Sequence, residues 1–121
     1  MDKRGYRDLH VWRESISFIP EVYAVLQTFP AHESEALAGQ TRQAAVAVAA
    51  HIAEGHACSH RLEFLRHLRI AKGSLARLHT LFVIAEQVGY LTPGQLDSLE
   101  QGVEGISRPL NGFIAKLREK G

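Results

Sequence analysis

Apolar positions recur along the chain at alternating steps of three and four, the spacing that places side chains on one side of an α-helix. Leu9, Trp12, Ile16, Ile19, Tyr23 and Leu26 form the first stripe. A second stripe, Val11, Phe18, Val22, Val25 and Phe29, runs along a neighbouring face, so this segment is apolar over more surface than one facing helix would cover. The first stripe is expected to face the core, and the second to receive some other contact. Pro20 removes one backbone donor inside the pattern, which predicts a kink one turn earlier. Phe29-Pro30 ends the pattern, giving a helix over residues 8–29.

Three more periodic segments follow. Residues 34–55 are rich in alanine, with Leu37, Thr41, Ala44, Val48 and His51 at heptad spacing and Ala45 and Ile52 thickening the stripe. Alanine favours helix, and small side chains allow close helix packing, so this is the predicted buried helix, with Gly55 as its left-handed stop. Phe64, Leu68, Ala71, Leu75, Leu78, Phe82 and Ala85 define a helix over 60–88, ended by Gly89. Thr92, Pro93 and Gln95 read as a capped start, and Leu96, Leu99, Val103, Ile106, Leu110, Phe113 and Leu117 carry the last helix over 93–118. Four helices with short connections predict an all-α, antiparallel up-down four-helix bundle in one domain spanning residues 1–121.

Composition narrows the class. With 45% hydrophobic and 22% charged residues, 121 residues can bury a core without a disulfide or a metal. The longest apolar run, Ala44 to Ala50, is too short to span a bilayer, and no apolar segment follows the charged start. Cys58 is the single cysteine, so no internal disulfide can form. These readings predict a cytoplasmic protein with no membrane contact. The net charge of +1 hides an asymmetry: residues 1–60 hold five Lys/Arg against seven Asp/Glu, and residues 61–121 hold nine against six.

Most of that positive excess lies between Ser59 and Thr80 in the third helix, where Arg61, Arg66, Arg69, Lys72 and Arg77 face one acidic residue, Glu63. A basic ridge of this kind can hold phosphates by charge alone. The competing expectation is a solvated face paired with Asp97, Glu100 and Glu104 of the fourth helix.

The stretch from His51 to His67 concentrates metal-ligating side chains: His51, Glu54, His56, Cys58, His60 and His67. His51 and Glu54 share a helical face. His56, Cys58 and His60 are expected in a linker after Gly55, where spacing does not enforce convergence. No HExxH, second Glu-x-x-His or CxxC is present, which argues against a di-iron bundle. Cys58 lacks a glycine-rich loop or an oriented base around it, and no enzyme site is expected. No cofactor and no metal are assigned, His51 being expected to bond within the bundle.

Taken together, "YRDLHVW" at 6–12, "VYAVLQTFP" at 22–30, "TRQAAVAVAAHIAEG" at 41–55, "EFLRHLRIAKGSL" at 63–75 and "LNGFIAKL" at 110–117 resemble the four-helix-bundle family of bacterial 23S rRNA intervening-sequence proteins. The matching structural motif comprises Glu54 and Gly55, with His51 in the place of the family's Asn, and the Gly73-Ser74 pair. Arg66 also matches. The resemblance implies a ring-shaped homopentamer without catalytic residues, in which the second stripe of the first helix is covered. It also implies kinship with the basic accessory protein of diversity-generating retroelements, which works with a reverse transcriptase and binds nucleic acid. The function expected is a non-enzymatic scaffold that binds RNA, DNA or a nucleic-acid enzyme through Arg61, Arg66, Arg69 and Lys72, with Arg42 as a further contact. The alternatives are a pure protein-interaction scaffold and, more remotely, a metal protein using His51 and the segment to His60.

Overall fold

The computed structural model of the protein describes residues 5–119. Lys3, Arg4 and Lys120, which count toward the charge balance, lie outside the described residues. Four α-helices make up the structure: α1 (His10–Leu26), α2 (Leu37–Ala57), α3 (Arg61–Gln87) and α4 (Pro93–Glu119). Two short 3-10 turns, Gly5–Asp8 and Ala31–Glu33, precede α1 and α2. No strand occurs among the described residues.

Each helix packs against its neighbours in sequence, and α1 also packs against α4, which closes the square. The α2–α3 pair is the most extensive contact, as the alanine-rich sequence of α2 requires. Directions alternate. Gln40 at the start of α2 meets Arg77 late in α3, Arg61 at the start of α3 meets Leu117 at the end of α4, and Ser98 near the start of α4 meets Glu21 late in α1. The architecture is an all-α, antiparallel up-down four-helix bundle.

The core face of α1 is the reverse of the sequence expectation. Val11, Ser15, Phe18, Val22 and Leu26 are the buried residues, while Ile16 is 39% and Tyr23 41% exposed. Two features of the packing explain the exchange. Ser15 completes the buried stripe by donating its hydroxyl to the Val11 carbonyl at 2.9 Å, so a polar residue sits in the core at no hydrogen-bonding cost. Phe18 lies over Gly102 of α4, where an added Cβ would come within 2.1 Å of the ring. It also meets Phe82 of α3 edge-on, with ring centroids 6.2 Å apart. Leu9, Trp12 and Ile19 are half-buried against this core.

Helix ends follow local chemistry. α1 runs unbroken through Pro20, whose ring lies on an exposed position, and stops at Leu26, three residues before the expected end. α2 begins at Leu37 because the Glu33 carboxylate accepts its backbone N–H at 3.1 Å. Tyr90, in the α3–α4 connection, donates its hydroxyl to the other oxygen of Glu33 at 2.9 Å, which ties the two connections at this end of the bundle. These bonds, the Leu37 N–H first and the Tyr90 hydroxyl second, hold the Glu33 carboxyl below its ordinary range. The same contact raises the Tyr90 phenol. α3 ends as expected at Gly89, with φ of 89°. There the Tyr90 N–H reaches the Ala85 carbonyl and the Gly89 N–H reaches that of Glu86, a Schellman arrangement. Thr92 and Gln95 form the expected reciprocal cap of α4, at 2.8 and 3.0 Å.

Gly55 does not end α2. The helix continues to Ala57, and Ser59 takes the left-handed conformation with φ of 54°. His56 therefore belongs to α2, and the linker shortens to Cys58, Ser59 and His60. Gly55 is buried instead, because α3 crosses so close that an added Cβ would lie 2.6 Å from the Cβ of His67 and 3.0 Å from the Phe64 ring.

Candidate nucleic-acid interface and histidine cluster

The solvent side of α3 carries Leu62, Arg66, Arg69 and Lys72 at helical spacing, all exposed. Arg66 bonds Glu63 one turn back, at 3.1 and 3.3 Å, and places one nitrogen 3.2 Å from His67 Nε2. Arg69 and Lys72 make no ion pair among the described residues. The acidic residues of α4 that could have neutralised this ridge are engaged elsewhere. Glu100 bonds His79 at 2.8 Å, Glu104 bonds Arg108 at 3.0 Å, and Asp97 accepts from Gln101 at 3.0 Å. Lys72 lies beside Glu100 and Glu104 along the shallow α3–α4 groove without bonding either.

The other candidate cations are placed differently. Arg61 is half-buried and donates to the Leu117 carbonyl at 2.9 Å, so one of its nitrogens serves the C-terminal end of α4. Arg42 donates to the Ser34 carbonyl at 2.7 Å, bracing the approach to α2. Arg77 reaches Gln40 at 2.8 Å. The sequence brings five cations to one helix, but the structure leaves Arg66, Arg69 and Lys72 as the continuous exposed run. Gly73 and Ser74 follow this run. Gly73 is exposed, and an added Cβ there would meet nothing within 4 Å.

A second feature lies between α1 and α2, where Tyr23, Arg42, Val46, Ala47 and His51 line an open groove of about 640 Å³. Tyr23 is 41% and Val46 45% exposed, and Ile16, two turns before Tyr23, continues the apolar surface along α1.

The histidines divide between contexts that the sequence could not separate. His56 packs its ring edge-on against Phe64 of α3, with centroids 5.5 Å apart. Cys58 and His60 are exposed in the linker. His51 and Glu54 are one turn apart on α2 and contact each other at 3.2 Å. Their partner from the facing helix is His67, whose Nδ1 lies 3.4 Å from His51 Nδ1 and 3.7 Å from the same Glu54 oxygen. Glu54 thus meets both histidines. Helical spacing alone could not pair position 51 with position 67, because their contact depends on the register between α2 and α3.

The sequence model of the family described as 23S rRNA-intervening sequence protein matches residues 7–112. Among solved structures, the chain is similar to a protein of unknown function from the S23 ribosomal protein family of Bacteroides thetaiotaomicron. The TM-score is 0.78 at 19% identity, over 86% of this chain and 97% of that one, a likeness of fold. No curated protein matches the chain.

Proposed function

The chain belongs to the 23S rRNA-intervening sequence protein family, and from that premise we propose that it is a non-enzymatic, oligomeric scaffold that binds nucleic acid through the exposed ridge of α3. The family is named for no reaction, and the structural neighbour from Bacteroides thetaiotaomicron is itself a protein of unknown function. No helix of the described residues is long and apolar enough to cross a membrane. The cytoplasm is the compartment proposed.

One observation carries the reading: Arg69 and Lys72 stand exposed with no acidic partner among the described residues, next to Arg66 on the same face. Unneutralised cations at this spacing can follow a phosphate backbone without reading its sequence. Two unpaired charges beside the Glu63-paired Arg66 make a weak site on one chain, and copies arranged in a ring would add their fields. The apolar surface of Ile16, Tyr23 and Val46 supports such an assembly, since a second copy seated on it would remove it from water. A homopentamer is the assembly proposed, with Arg42 and Arg61 as flanking contacts.

A gel-shift assay with unstructured RNA and with duplex DNA at low and moderate salt tests the proposal. Binding at low salt that weakens steeply with salt is expected, with loss in the variant Arg69→Gln/Lys72→Gln. Absence of binding to either at the lowest salt would overturn it. A protein-interaction scaffold is the second reading, favoured by the exposed Ile16, Tyr23 and Val46 beside the α1–α2 groove. Under that reading, partner capture is insensitive to the Arg69→Gln/Lys72→Gln change.

A further inference from the structure

The α2–α3 contact brings His51, Glu54 and His67 together as a donor set, beside a more exposed group of Cys58, Glu63 and the same His67. His51 Nδ1, His67 Nδ1 and Glu54 Oε1 are separated by 3.4, 3.2 and 3.7 Å. Zinc bound tetrahedrally at about 2.0–2.1 Å holds its donors about 3.3–3.4 Å apart. The observed triangle approximates one face of such a tetrahedron, with the His67–Glu54 edge of 3.7 Å the long one. The ring centroids are 5.7 Å apart and the planes 30° from parallel, so the Nδ1 corners are turned toward one another. Between two neutral imidazoles this contact is a long hydrogen bond that uses one proton and one lone pair. A cation shared by both rings satisfies both lone pairs.

The setting also suits an ion. His67 is 13% and His51 28% exposed in their side chains, whereas Glu54 is 59% exposed, so the set is anchored on the protein side and open toward water. Its positions are fixed by helices and not by a loop, and the missing Cβ of Gly55 is what lets His67 approach. Binding through Nδ1 places the His67 proton on Nε2, which now faces Arg66 at 3.2 Å. Arg66 is exposed and already bonded to Glu63, so it can turn wholly to that carboxylate. A Glu63 oxygen lies within 4.8 Å of a His67 ring nitrogen, near enough to become the outer acceptor that metal-bound histidines require.

We propose that His51, Glu54 and His67 bind one zinc-class divalent ion that clamps α2 to α3, with water in the open position. The ligand set differs from one built on the linker, because His56 and His60 take no part.

The test is calorimetric titration of the full-length, tag-free, metal-stripped chain with zinc chloride, with cobalt(II) absorption as an independent readout of coordination. One zinc per chain is expected, with a Tm rise of roughly 10 °C at a hundredfold excess over Kd. His51→Ala and His67→Ala should each weaken binding by at least about 100-fold, and Glu54→Gln by about 10-fold or more, while His56→Ala and His60→Ala leave it unchanged. If His67→Ala loses helical circular dichroism, the closer mimic His67→Gln decides in its place. Absence of saturable binding at millimolar zinc would overturn the proposal. So would equal binding by a folded His51→Ala/His67→Ala variant.

Discussion

At Gly55 one absent carbon sets the distance between two helices. A methyl group there would press on His67 Cβ at 2.6 Å and on Phe64, neither of which can withdraw without moving α3. Gly55→Ala is expected to cost about 1–3 kcal/mol, measured by denaturant unfolding, despite alanine's better helix propensity. Ser59 presents the opposite case, a non-glycine residue in the left-handed region with φ of 54°. Ser59→Gly should raise stability, by roughly 0.5 kcal/mol once the added freedom of the unfolded chain is set against the relief of strain. The sequence invites the wrong assignment at Gly55. A glycine near a helix end fits a cap and a close crossing equally well, and only the register of α3 against α2 distinguishes them.

At the scale of elements, the stripes of α1 show where periodicity stops being informative. Two interleaved stripes are visible in the spacing, but Ser15 interrupts the one that is buried, and Gly102 on a different helix selects Phe18 as the core residue. The second fact is not local to α1. By contrast, the Thr92–Gln95 cap and the Gly89 stop depend on residues within one turn, and both are legible in the sequence. Thr92→Ala should lower stability by about 1 kcal/mol in thermal unfolding, through loss of the bond to the Gln95 N–H.

The Glu33–Tyr90 tie, which joins two connections far apart in sequence, is not legible there. Its titration has a definite sign. Because Glu33 is held below its ordinary value of 4.5, its contribution is present above that pH and is lost as pH falls through the lower folded-state value. Tyr90, raised above 10.0, contributes below that pH and loses its contribution as pH rises past it. Glu33→Gln should therefore flatten the acid side of a Tm-against-pH profile, and Tyr90→Phe its alkaline side. An unchanged profile in both variants would show that the tie does not stabilise the fold.

For the molecule as a whole, helix number, order and antiparallel arrangement follow from stripe spacing and short connections. The site is legible only in part. Clustering of cations on α3 is visible in the sequence, but which of them remain available depends on tertiary bonds such as Arg61 to Leu117 and Glu100 to His79. The same holds for the surface of Ile16, Tyr23 and Val46, which no single helix displays. If that surface seats a second copy, summed ridges, not one isolated ridge, meet the nucleic acid, and function depends on assembly. Tyr23→Glu/Val46→Glu should then dissociate the protein while leaving its helical content intact. Light scattering on the size-fractionated wild-type chain is the most direct measurement. The proposed ring predicts a mass near five times the 13.4 kDa of one chain. A particle of 13.4 kDa at micromolar concentration would contradict both the assembly and the summed positive field that depends on it.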